Sequence, residues 1–293
     1  MEGLETIHAE PKINVKLGGV QQTLLATLVF RALDYESKEP LLGDEFASQT
    51  LSQIQGGDEL LSQARGTLLD HVSGLLPAMR AKLFDTWTTQ FCQRNQGATI
   101  LHLGCGLDAR SLRVSWKGKD RLWVDLDVPE VARIRQKVMK PPQTENGAQY
   151  RIEAKSVTDD GWLIDLPTDR PALVIMEGLL VYLAEDEVHG LLGAILQHFQ
   201  KGEIIFDATG SLLAWCFGKM ASRYSKEPIP MKWPLDDARV LPQRFGELKL
   251  ETVLTIPELD GFSRLPFALK ALLRIGQRAG VAGRFGSFVR YTF

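Results

Sequence analysis

Little in this sequence commits it to a specialised class. Its three cysteines, Cys92, Cys105 and Cys216, are too few and too scattered for a disulfide framework, and they form no zinc spacing. A reducing cytoplasm suits them. Charge of one sign is not in excess: 34 basic against 36 acidic residues leave a formal net charge of -2, with no sign of the basic footprint of a nucleic-acid-binding chain. No apolar run approaches the roughly 20 residues needed to span a bilayer. Residues 1–16 are polar and mixed in charge, so no secretion signal is expected there. The expectation is a cytoplasmic protein, at most peripheral to a membrane, without a metal site. What is present, 293 residues with 44% hydrophobic and 24% charged, is enough for one large domain, or a domain plus a lid, around a substantial core.

The first third reads as helical. Leu24, Leu25, Leu28, Val29 and Ala32 recur at helical spacing over 21–35. A polar stretch with Pro40 and the Gly56-Gly57 break follows over 36–58, and 58–95 is largely helical, interrupted near Gly74 and Pro77. The pattern changes at Thr99. Short apolar runs at 99–103, 121–124, 150–154, 172–176 and 203–206 alternate with helical segments at 130–140 and 185–199. Such alternation predicts βαβ units and a parallel sheet covered on both faces. An irregular stretch from Ala208 to Pro242, with Trp215, Phe217, Tyr224 and Trp233, reads as an insertion or lid. Two last strands are expected at 249–254 and 287–292, with a helix around 265–279 between them.

Gly104-Cys105-Gly106 directly follows the first strand, where glycines let the backbone turn sharply and approach a ligand closely. Ala109 stands where a dinucleotide fingerprint has its third small residue. The turn alone is ambiguous between a dinucleotide and S-adenosylmethionine. Asp125-Leu126-Asp127 ends the second strand, about 20 residues further on, where an acid can hydrogen-bond a ribose. Glu177 closes the fourth strand and faces the same crevice. A carboxylate there suits a ligand with an ammonium and a sulfonium and is badly placed against a pyrophosphate.

Three segments together resemble the leucine carboxyl methyltransferase family, and its bacterial branch of polyketide carboxylate O-methyltransferases in particular: Leu103 to Arg110, Asp125 to Val131, and Glu177 to Leu183. The resemblance runs from about Lys16 to the end of the chain. It implies a class I methyltransferase fold: an α/β, Rossmann-like, seven-stranded and mostly parallel sheet with helices on both faces. It further implies added helices over 1–97 covering the cofactor, ahead of a core over 98–293 in which the irregular stretch is placed as a lid at about 208–245. The implied cofactor is S-adenosylmethionine, converted to S-adenosylhomocysteine. By the same resemblance Arg80, with Lys16, grips the cofactor's carboxylate; Gly104, Cys105 and Gly106 form the turn; Asp127 takes the ribose; Ser156 and Val157 lie by the adenine; and Glu177 lies near the methionine moiety. His102, inside the first strand, reads as packing, and His8, His71, His189 and His198 fall in no motif.

Transfer from a sulfonium needs alignment of acceptor and methyl above all. A carboxylate acceptor is ionised at neutral pH and needs no base. A phenol or alcohol would favour one, for which Asp207 is the candidate. The expected partner is a small-molecule carboxylic acid, with neither nucleic acid nor a membrane. Three alternatives stand beside this reading: a methyltransferase acting on the carboxyl terminus of a protein, a non-catalytic module that binds the cofactor, and an NAD-dependent oxidoreductase, which leaves Glu177 and Arg80 without a role.

Overall fold

The computed structural model describes residues 12–15, 22–65, 70–216 and 230–293. At its centre is a seven-stranded sheet in the order β3-β2-β1-β4-β5-β7-β6. Its strands are β1 (Thr99–Leu103), β2 (Leu122–Asp127), β3 (Gln149–Ala154), β4 (Ala172–Met176), β5 (Gly202–Ala208), β6 (Lys249–Leu254) and β7 (Ser287–Thr292). The first five are parallel; β7 runs antiparallel between β5 and β6. Strands β1 and β4 are buried along their whole length, which is why they read as unbroken apolar runs. Edge strands β3 and β6 are more open.

Alternate side chains separate into two cores. Leu101, Leu103, Val174 and Met176 pack on one face with helix α7 (Glu185–His198). Ile100, Leu173 and Ile175 pack on the other with helix α4 (Asp70–Arg94). A third cluster joins helices α1 (Gln22–Tyr35), α2 (Glu45–Ser52) and α3 (Gly57–Ala64) to Leu107 and to helix α6 (Pro129–Val138). Of these, α1 lies at the carboxyl ends of β1 and β4, where Leu24 meets Gly106, beside the junction at which strand order reverses. Open α/β sheets bind ligands at that position.

Helix boundaries departed from the sequence pattern in two places. Helix α4 runs through Gly74 and Pro77 without a break. A Cβ at Gly74 would lie 3.3 Å from the Phe30 carbonyl, so the glycine lets α1 approach closely, and this packing outweighs the local preference. Helix α2 lies inside the stretch read as merely polar. Asp44 caps it by accepting the Ala47 N–H, and it buries Ala47, Thr50 and Leu51. The supposed lid is split. Trp233 is only 7% exposed and packs against Phe206, whereas Trp215 is 61% exposed. Phe217 and Tyr224, like Lys16 and His8, lie outside the described residues. No helix among the described residues is long and apolar enough to cross a membrane.

Candidate active site

Beyond the carboxyl end of β1 the chain turns through Gly104 and Gly106, at φ +61° and +53°. Both are left-handed conformations that cost a residue with a Cβ roughly 1–2 kcal/mol. Arg135 of α6 fastens the turn from behind, donating to the carbonyls of Gly106 (3.0 Å) and Asp108 (2.7 Å). Asp127, at the end of β2, closes it from the side. One carboxylate oxygen accepts the Gly106 N–H at 2.7 Å, the other the Val128 N–H at 2.8 Å. Burial pushes the Asp127 pKa up, against the pull of those two hydrogen bonds. A crevice of about 200 Å³ opens between this turn, α1 and the start of the loop after β4. A Cβ at Gly104 would also meet a Leu179 methyl at 3.0 Å. Gly104→Ala is therefore expected to lower the melting temperature by a few degrees, about 1–2 kcal/mol, and to weaken cofactor binding with it. Unchanged melting and affinity would show that the turn has no need of glycine.

Glu177 enters the crevice from the end of β4, already paired on both oxygens. Arg80 of α4 donates to one at 2.9 Å and Arg110 to the other at 2.5 Å. Burial raises the Glu177 pKa, but the two arginines outweigh it and hold the carboxyl below its usual range. Arg110, which opens the short helix α5 (Arg110–Arg113) and is 0% exposed, also reaches Asp85 (2.7 Å) and Asp108 (3.3 Å). Asp108 in turn receives Arg31 of α1 (2.7 Å) and Arg113 (3.1 Å), and Arg113 extends to Asp44 (2.8 Å). Burial disfavours the Asp108 anion, yet Arg110, Arg31 and Arg113 keep its pKa well below normal. The network ties α1, the loop before α2, α4 and the glycine turn to one another. His102 belongs to its rear wall. Parallel register sets it beside Asp125, with Nδ1 3.3 Å from that carboxylate, which Arg135 and Tyr150 also hold.

A second cavity, of about 630 Å³ and largely apolar, adjoins the crevice. It is walled by Leu269, Leu273, Phe285 and Phe288 from the last third of the chain and by Phe30 and Leu76 from the amino-terminal helices. Thr23, Thr27, Pro77, Arg80, Gly178 and Tyr182 line both spaces and form the passage between them. Asp207, at the end of β5, lines the apolar cavity. It accepts the Gly178 N–H at 2.6 Å and Arg80 at 2.9 Å.

Of the residues singled out in the sequence, Arg80, Gly104, Cys105, Gly106, Asp127 and Glu177 meet at the crevice. Ser156 and Val157 do not line it. Ser156 turns its N–H to Asp159 and its hydroxyl to Thr158, and Val157 is buried in the core. Lys16 lies outside the described residues. Sequence reasoning missed the arginine network and the junction residues Thr27 and Tyr182. Arg110 and Tyr182 stood inside the recognised segments, but nothing local showed what they would touch.

The sequence has relatives of nearly the same length. An S-adenosyl-L-methionine-dependent methyltransferase of Gibberella zeae, dpfgK, is 39% identical over 96% of this chain and 98% of its own. The tetracenomycin polyketide synthesis O-methyltransferase TcmP of Streptomyces glaucescens is 34% identical over 81% and 83%. The structure of a DUF574 family protein from Streptomyces avermitilis superposes with a TM-score of 0.54, at 11% identity, over 91% of this chain and 96% of that one; this likeness concerns the fold alone. The profile of the leucine carboxyl methyltransferase family matches residues 24–196. Sheet order, glycine turn and relatives together define an S-adenosylmethionine-dependent methyltransferase of Rossmann-like fold. The chain belongs to the leucine carboxyl methyltransferase family.

The residues present fit the cofactor. Each Asp127 oxygen accepts only one backbone N–H, which leaves lone pairs free for a ribose hydroxyl pair. The third nitrogen of the Arg80 guanidinium remains beyond the two spent on Glu177 and Asp207, and suits a carboxylate.

Proposed function

We propose that the protein methylates an oxygen, foremost a carboxylate, of a small and largely apolar metabolite. Arg80, Gly104, Cys105, Gly106, Asp127 and Glu177 would hold the cofactor in the crevice, and the acceptor would occupy the adjoining cavity. The observation that carries this reading is the shared passage: Arg80 and Tyr182 border both spaces. Bound in the crevice, S-adenosylmethionine supplies an electrophilic methyl. The chain's task is then to bring an anionic oxygen to the passage, fix its direction and keep water out. The Tyr182 hydroxyl, with an N–H of the one Arg80 nitrogen not spent on Glu177 and Asp207, can hold a carboxylate there. The apolar walls take the body of the acceptor, in keeping with a relative named for polyketide synthesis.

A carboxylate acceptor asks for no proton acceptor, and Asp207 already accepts from the Gly178 N–H and from Arg80. We assign it instead to holding Arg80. Three unpaired cysteines accord with a cytoplasmic setting.

Labelled S-adenosylmethionine with a panel of polycyclic carboxylic acids, and the same compounds as phenols or with the carboxyl removed, tests the reading. Base-labile methyl esters of the acids are expected. Arg80→Lys, which loses the forked geometry, should lower kcat/KM about tenfold through the loss of one charge-assisted hydrogen bond. Label on phenols alone, or on a protein's carboxyl terminus, would replace the carboxylate metabolite as substrate.

A further inference from the structure

The apolar cavity has an outer side. The helix Phe267–Arg278, with sequence FALKALLRIGQR, contributes Leu269, Leu272 and Leu273 to the cavity wall. At 3.6 residues per turn, Leu269, Leu273 and Gly276 share one face, and Leu273 and Gly276 are buried. Outside that face Phe267, Leu272 and Ile275 are 83%, 53% and 64% exposed, spread over an arc of about 140° that ends with Leu272 beside the buried side. Val281, just past the helix, adds a further exposed apolar side chain. The polar residues Lys270, Arg274, Gln277 and Arg278 occupy an arc of about 100°. A water-facing helix normally shows a broad polar face. This one keeps Arg274 and Arg278 on its outer side, yet its apolar residues extend well beyond the buried face.

Scattered exposed apolar residues need no explanation, but three on the solvent side of one short helix, interleaved and bordered with cations, make a pattern. A large apolar face with lysine and arginine at its margin is the layout of a helix lying in a membrane interface. Charge decides between possible occupants. The helix contains three cations and no acidic residue. A second copy packed through the same face would bring those cations near their own equivalents. An anionic headgroup layer answers them, while Phe267, Leu272 and Ile275 enter the acyl boundary. Leu272 faces both the outside and the cavity, so apolar surface is continuous from the proposed contact to the cavity.

We propose that the outer face of this helix docks the protein on an anionic lipid surface. The contact is reversible and peripheral, and it does not depend on which acceptor the cavity takes.

Flotation of the full chain with vesicles of phosphatidylcholine, with and without phosphatidylglycerol, tests the assignment. Binding is expected to the anionic vesicles and to fall as salt is raised. Arg278→Glu removes one attraction and adds one repulsion, so it should lower the partition coefficient about 30-fold. Phe267→Ser should lower it at least about tenfold. Both positions are exposed, and melting like the parent's confirms that the variants fold. Three results would overturn the proposal: no flotation with anionic vesicles at low salt, flotation that neither substitution alters, or a dimer in analytical ultracentrifugation that Phe267→Ser dissolves.

Discussion

Asp127→Ala is expected to weaken S-adenosylhomocysteine binding by roughly 30- to 1000-fold, or about 2–4 kcal/mol, measured by calorimetry. The size follows from what the carboxylate does. It accepts the N–H groups of Gly106 and Val128 while presenting its remaining lone pairs to the crevice. Alanine removes the proposed ribose acceptor and leaves the glycine turn without its side support. Asp127→Asn is expected to fall between, because an amide can accept from only one of the two N–H groups. Burial raises the Asp127 pKa, so the parent's affinity should drop as pH falls through that raised value and the carboxylate takes up a proton. The Asn variant should lack this acid limb. Full affinity in Asp127→Ala would place the cofactor elsewhere.

Arg110→Ala is expected to destabilise the fold by about 3–5 kcal/mol, roughly 10 °C in melting temperature for a chain of this size. Arg110 is wholly buried and holds Asp85, Asp108 and Glu177. Its removal strands buried negative charge, which costs more than the ion pairs themselves contribute. The same logic fixes the pH dependence. Asp108 and Glu177 have lowered pKa values in the folded protein. Their stabilisation is therefore complete above the unfolded values, near pH 4, and is lost as pH falls towards the folded ones. Arg110→Ala raises the folded values, so its deficit should be widest at neutral pH and shrink in acid. Glu177→Gln in the same chain should recover part of the loss. A melting temperature within a degree or two of the parent's would show that the network is not held together through Arg110.

Those two residues mark the limit of what the sequence displays. The strands 99–103 and 172–176 were legible to the residue, because a parallel strand buried on both faces leaves an unbroken apolar run. Asp127 was legible because its partner turn is nearby in sequence. Arg80 and Glu177, 97 residues apart, and Arg113 and Asp44, 69 apart, meet only through the packing of α1 and α4 on the sheet, which no local pattern records. The same packing carries α4 through Gly74 and Pro77. Trp233 looked like part of a lid because aromatic composition does not distinguish a covering loop from a core plug.

The cofactor crevice draws its lining from Thr23 to Tyr182, almost the span of the family profile at 24–196. The adjoining cavity adds residues from Asp207 to Phe288, all of them beyond that span. On the proposed assignment of the two spaces, the chain is divided along its length, with the methyl donor's half first and much of the acceptor's half after it. The same assignment lets changes late in the gene reshape what is methylated while the donor machinery is inherited intact. Exchanging residues after 207 between relatives is the natural route to new acceptors on this scaffold.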